Sequence, residues 1–177
     1  MKTVTAIIHA LSALCLLAST VIADGASIVA AIDKVASDAA SLNDTVLAWD
    51  GDLLGLLPIV VDSTTLLADL NSGTKVAEQS ANLTDAESIS VYTATLDLSS
   101  GVNETLATIE AAKPKFEALL VAPIILLNLD EEKSASDKFS AAIISKVPTA
   151  LQSIAQGVVS GIDAAFDVAI SDYTGAI

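Results

Sequence analysis

From Ile28 to Trp49, seven apolar residues (Ile28, Ile32, Val35, Ala39, Leu42, Val46 and Trp49) recur at alternating intervals of four and three. Asp33, Lys34, Ser37, Asp38, Ser41 and Asp44 fall between them. An α-helix turns once in 3.6 residues, so this spacing gathers the apolar side chains into one stripe. Asp50-Gly51 ends the segment. A chain that opens this way must supply other helices to cover the stripe.

The rest of the sequence supplies them. Leu56, Ile59, Ser63, Leu66, Leu70, Gly73 and Ala77 repeat the pattern, with Pro58 in the first turn, where a missing N–H costs little. The small residues Ser63, Gly73 and Ala77 narrow this stripe, which lets a neighbouring backbone or a ligand come close. Thr84-Asp85-Ala86-Glu87 is a capping box. It opens a third helix, predicted to turn Ile89, Tyr92, Leu96, Val102, Leu106 and Ile109 to the core. Pro114 should kink or restart that helix. The apolar run Ala118 to Leu127 follows, then the charged run Asp130 to Lys138, where a helix would break or lie exposed. Ser134 could start a fresh helix carrying Phe139, Ile143 and Ile144. Pro148 precedes a closing helix with Leu151, Ile154, Val158, Ile162, Ala165, Phe166, Ala169 and Ile170 on a wide apolar face. No stretch alternates in the period of two that marks a strand. The expected fold is all-α: an antiparallel bundle of four or five long amphipathic helices.

Residues 1–23 read as a secretory signal peptide, with Lys2 as the positive region, Val4 to Leu17 as the apolar region and Ala23 before the cleavage point. That segment should form a signal-peptide helix outside the fold, leaving residues 24–177 as one helical-bundle domain. The only Cys (Cys15), the only His (His9) and Met1 all lie in this leader, and every basic residue of the chain is a lysine. Disulfides are then impossible in the mature protein, so its stability must come from apolar burial. With 53% of residues hydrophobic, material for that burial is plentiful. The segment Ser171 to Ile177 lacks the hydrophobic tail of a glycolipid anchor, and neither apolar run reaches the length of a membrane span. No transmembrane anchor is expected; the expected location is secreted and extracellular, with cell-wall association open.

These absences also bound the chemistry. Ser-His-Asp and Cys-His catalysis, and the usual zinc and copper ligands, leave with the leader. A carboxylate-pair glycosidase or a Ser-Lys dyad stays formally open, but the context for either is missing. Asp130-Glu131-Glu132 lacks the glycine turn of a calcium loop and reads as a solvated acidic turn. The expectation is a protein that is not an enzyme, with no cofactor and no metal. Seven mature lysines stand against 22 acidic residues, which excludes nucleic acid as a partner. Three sequons mark Asn43, Asn82 and Asn103 as glycosylation candidates.

The runs Leu53 to Val61 and Ala118 to Leu127 are apolar all round. They are either buried at the bundle ends, or they line a cavity mouth or an exposed patch that binds something. Trp49 is either core or a cavity cap. Leu, Ile, Val and Ala dominate, so the matching guest is a flexible acyl chain, worth about 0.8 kcal/mol per buried methylene. Helical phase nominates Leu66, Leu70, Leu106, Leu119, Phe139, Ile143, Ile162 and Phe166 as ligand-lining residues. Without arginine, a fatty carboxylate would be held by lysine, hydroxyls or water, or left at the mouth.

The sequence resembles the fungal hydrophobic surface binding protein A family, whose relatives include cell-wall galactomannoproteins. The likeness rests on the leader, the opening helix from Ile28 to Leu42 and the Trp49-Asp50-Gly51 turn. It continues through Leu83 to Glu87, Lys113-Pro114-Lys115-Phe116 and the closing helix to Tyr173. The resemblance implies a secreted, cysteine-poor α-bundle that adsorbs to hydrophobic solids, or holds fatty acids in a tunnel between helices. Secreted hydrolases, which some members help to recruit, are further implied partners. Two other readings stay open: a glycosylated structural mannoprotein of the cell wall, and a secreted antigen or effector meeting host proteins.

Overall fold

The computed structural model describes residues 24–175; the leader predicted at residues 1–23 lies outside them. Five helices fill this span: α1 (Asp24–Ala48), α2 (Leu56–Gln79), α3 (Asp85–Ala118), α4 (Ala122–Lys146) and α5 (Gln152–Thr174). No strand occurs among the described residues. Short loops reverse the chain after each helix, so successive helices run antiparallel. The main contacts join α1 to α2 and α3, α2 to α4, and α5 to α3 and α4. The five therefore close a ring in the order α1, α2, α4, α5, α3. At one end of it lie the α1–α2 and α3–α4 turns; at the other lie the starts of α1, α3 and α5.

The α1 stripe is buried throughout, from Ile28 and Ile32 to Trp49. Hydrogen bonds fix its register against α3: the Thr105 hydroxyl donates to the Ala39 carbonyl at 3.0 Å, and Thr108 donates to Asn43 Oδ1 at 2.6 Å. The turn after α1 explains the tryptophan-glycine pairing. Trp49 stacks on Phe116 with centroids 4.6 Å apart, and its Nε1 donates to the Asp52 carbonyl at 2.8 Å. Gly51 takes a φ of +91°, a left-handed conformation costly for any residue with a Cβ. Trp49 is thus core, at the end of the bundle where α2 and α4 begin. The narrow α2 stripe admits a ring: a Cβ at Gly73 would lie 2.9 Å from the Phe139 ring of α4.

Three sequence expectations need correction. First, Ile89 and Leu96 are exposed and Tyr92 is at the edge, while Ser88, Val91, Ala94 and Leu98 form the buried face of α3. α1 comes close to the start of α3, where a Cβ on Gly25 would lie within 2.6 Å of the Glu87 side chain. The Thr84 cap forms as expected, its hydroxyl accepting from the Glu87 amide while Glu87 accepts from the Thr84 N–H. Second, of the two effects expected of Pro114 the restart does not occur: α3 continues through it to Ala118. The turn beyond it is held by the Phe116–Trp49 stack and by Lys115, whose ammonium donates to the Trp49 carbonyl. Third, Asp130 to Lys138 is not a break, nor does a fresh helix start at Ser134; the run is the middle of α4, exposed at Asp130, Glu131, Ser134, Asp137 and Lys138 but not at Glu132. Glu132, Ala135, Phe139 and Ile143 recur on its buried side, and Lys133 pairs with Asp137 and with Asp167 of α5.

α5 alone among the described helices is long and apolar enough to cross a membrane, by length and composition. Its buried residues Val159, Ile162, Phe166, Ala169 and Tyr173 recur every three or four positions. That is the pattern of a core helix with one covered face. The Tyr173 hydroxyl donates to the Ile109 carbonyl at 2.7 Å, tying the end of α5 to α3.

Candidate functional site

The ring of helices encloses a cavity of about 300 Å³ toward the end where α3 and α5 begin. All five helices contribute to its wall, including Ile32 and Val35 of α1, Leu98 of α3 and Val158 of α5. Of the residues nominated from the sequence, Leu66, Leu70, Leu106, Phe139, Ile143, Ile162 and Phe166 stand on this wall. Leu119 does not: it is half-buried beyond the last turn of α3, at the opposite end. Its helical phase was continuous with the core, but the cavity stops short of its level.

The wall is almost wholly aliphatic, and the physical reason lies partly in its hydroxyls. Ser88 and Thr95 line the cavity, yet each gives its proton to a carbonyl one turn back at 2.8 Å, and Thr105 shares its one proton between Gly101 of its own helix at 2.9 Å and Ala39 of α1 at 3.0 Å. Their protons are engaged by backbone carbonyls, while Ser136 and Ser140 of α4 also stand on the wall. No lysine is among the lining residues. Ile89, Tyr92 and Ile154 line the cavity while remaining exposed, so the opening lies between the first halves of α3 and α5. Ile89 and Tyr92 of α3, which failed to enter the core, thus form a mouth.

One charged residue lines the cavity. Glu132 is 4% exposed and lines the cavity from α4. Its Oε1 accepts from the Ser63 hydroxyl of α2 at 2.6 Å. Burial pushes its carboxyl up to about 7, against the lowering effect of that hydrogen bond, with a smaller upward push from Glu131. Sequence reasoning placed this residue in a solvated turn. A recoverable signal existed: Glu132 stands three, seven and eleven residues before Ala135, Phe139 and Ile143.

A second feature lies at the opposite end. Leu53, Leu54, Leu57, Val60 and Val61 around the start of α2 are exposed, as are Leu120, Ile124 and Leu127 around the start of α4. Leu54 is 78% exposed and Leu120 86%. Parallel packing of α2 on α4 brings both apolar runs to this end. Of the two readings of those runs, the exposed patch is the one found. Leu120 also holds a φ of 59°, left-handed backbone that a leucine seldom adopts. Its N–H and that of Val121 close the α3 terminus on the carbonyls of Glu117 and Phe116, at 2.9 and 3.0 Å. Such a helix ending ordinarily carries glycine at this position.

Among the described residues, no group of three His, Cys, Asp or Glu side chains could hold a metal. Asn82 is exposed in the α2–α3 loop and Asn103 is exposed on α3. Asn43 is 7% exposed and accepts from Thr108, so a glycan on it is incompatible with the α1–α3 contact.

Fold and cavity together define the class: helical bundles that enclose an aliphatic chamber opening between two helices. The chain belongs to the Hydrophobic surface binding protein A family, whose model matches residues 25–145. Among solved structures it is similar to Afmp4p in complex with palmitic acid, at 27% identity and a TM-score of 0.82 over 84% of this chain and 99% of that one. Ligand binding domain 1 of the Penicillium marneffei MP1 protein, complexed with arachidonic acids, shares the fold at 15% identity and a TM-score of 0.80. That likeness covers 85% of this chain and 98% of the other. The chain is also 26% identical to cell wall mannoprotein 1 of Aspergillus fumigatus over 87% of its length, and 27% identical to that of Aspergillus flavus over 63%. It spans about half the length of these curated relatives, 54% and 41% respectively.

Proposed function

We propose that this protein is a secreted, non-enzymatic carrier of fatty-acyl chains, with a separate apolar end that adsorbs to hydrophobic surfaces. The observation that carries the first half is the aliphatic cavity with its lateral mouth. Its volume suits a small lipid, and the wall offers methyl groups with few free polar atoms. Leu66, Leu70, Leu106, Phe139, Ile143, Ile162 and Phe166 are the proposed contacts for the chain. The palmitic acid held by Afmp4p, at 27% identity, supports the ligand class. Family membership and the mannoprotein relatives support an extracellular setting, at or near the cell wall, with glycans on Asn82 and Asn103.

The second half rests on the leucine-rich end. Large apolar side chains gathered in water at one end of a bundle mark an interaction site, and this end includes Leu120, held in a left-handed conformation where glycine would sit more easily. A hydrophobic solid is the partner proposed for it; secreted hydrolases and host proteins are further partners that this reading admits. The two sites separate experimentally. Replacing Ala155 on the cavity wall by tryptophan should abolish displacement of a fluorescent fatty-acid probe by palmitate and leave polystyrene adsorption intact. Replacing Leu54, Leu57 and Leu120 by serine should do the reverse. Loss of both properties in either variant would sink the two-site reading.

A further inference from the structure

A smaller cavity of about 20 Å³ lies beyond the main one, between Val46 of α1, Ile59 of α2, Phe116 of α3 and Leu129 of α4. Two residues line both: Glu132 and Ile109. On α1 and α2 the large cavity touches Ile32 to Ala39 and Leu66 to Leu70, the small one Leu42 to Val46 and Ile59 to Ser63. The two therefore occupy successive levels along the bundle axis and meet at one partition.

We propose that Glu132 and Ile109 form the stop that sets the longest acyl chain the cavity accepts, a proposal that rests on the carrier reading. The ligand enters tail first. No lysine lines the chamber to hold a carboxylate, and the hydroxyls of Ser136 and Ser140 stand one and two turns from Glu132 on α4, where a second carboxyl would be buried at high cost. The fatty head therefore stays in water near Tyr92 and Ile154, and the terminal methyl meets the partition. There, the Ser63 hydrogen bond holds the Glu132 side chain across the path. A longer tail would have to displace that bond and lay methylenes against a carboxyl oxygen. Past the partition, the small cavity joined to the space left by a truncated stop would admit further carbons.

The test is the affinity of the full mature protein for saturated fatty acids from decanoate to behenate. Affinity should rise about fourfold per methylene until the chain reaches the stop, then level or fall. Glu132→Ala and Ile109→Ala should each move that limit to longer acids. Glu132→Gln, which keeps the side-chain volume and a partner for Ser63, should leave it in place. Ile109→Ala opens the partition from α3 without touching the carboxyl, so the test survives if Glu132→Ala does not fold. A limit unmoved in both folded alanine variants would overturn the stop while leaving the carrier reading intact. A shift with Glu132→Gln as large as with Glu132→Ala would also overturn it. Wild-type protein that takes up no member of the series would overturn the carrier reading, and the stop with it.

Discussion

Glu132 is where the interior departs most from an aliphatic average. Folding lifts its carboxyl from 4.5 to about 7 because burial penalises the charged form. The folded state thus holds this proton more tightly than the unfolded state does. Stability from the group is complete below pH 4.5 and declines as pH rises to about 7 and beyond. The full swing is on the order of 3 kcal/mol. Asp38, Glu110 and Asp163 are shifted upward too, with burial as the leading cause. Urea unfolding at pH 5 and pH 8 should therefore show wild type losing stability across the interval, and Glu132→Gln losing less. Equal losses in the two proteins would mean that Glu132 ionises freely when folded. This residue was only faintly legible in the sequence, through its spacing to Ala135, Phe139 and Ile143. A buried carboxyl inside a charged run reads as surface until one knows that Ser63, 69 positions earlier, supplies its partner.

At the scale of the helix, legibility followed the clarity of the stripe. The intervals of α1 and α2 predicted their buried faces, and the Thr84 box predicted the start of α3. Replacing Thr84 by alanine should cost about 1 kcal/mol by denaturant titration, and an unchanged midpoint would show the cap to be idle. Where two apolar stripes compete on one helix, composition cannot choose. Ile89, Tyr92 and Leu96 outweigh Ser88, Val91 and Ala94 in hydrophobicity, yet the smaller set is the buried one. The larger residues, apart from Leu96, were left to line the mouth. Seven of the eight nominated wall residues do stand at the cavity, while Leu119 belongs to the far turn. That turn makes its own prediction. Leu120→Gly relieves a left-handed leucine, which costs roughly 1–2 kcal/mol, against the smaller entropy cost of a glycine. The variant should unfold at a slightly higher urea concentration while adsorbing less well to polystyrene. A lower midpoint would show that Leu120 is not strained.

At the scale of the molecule, a ring of five helices separates two apolar features that sequence hydropathy cannot tell apart. One is internal, toward the starts of α3 and α5; the other faces outward where α2 and α4 begin. Which leucines became wall and which became surface depends on the ring order, in which α2 lies beside α4 and α3 beside α5. The formal charge of −14 at pH 7 governs the outward end. With a sequence pI near 4.1, self-repulsion between adsorbed copies falls as pH drops toward 4. Coverage of polystyrene or a polyester film should accordingly be greater at pH 4 than at pH 7. Equal coverage would remove charge from the account of adsorption.

The most direct test of the central claim is native mass spectrometry of the mature chain secreted from a fungal host, followed by lipid extraction and by titration with palmitate. The account predicts a mass increment of one fatty acid, either carried from the host or taken up from solution, and its loss in Ala155→Trp. A wild-type mass that stays that of the bare chain in the presence of palmitate would contradict it.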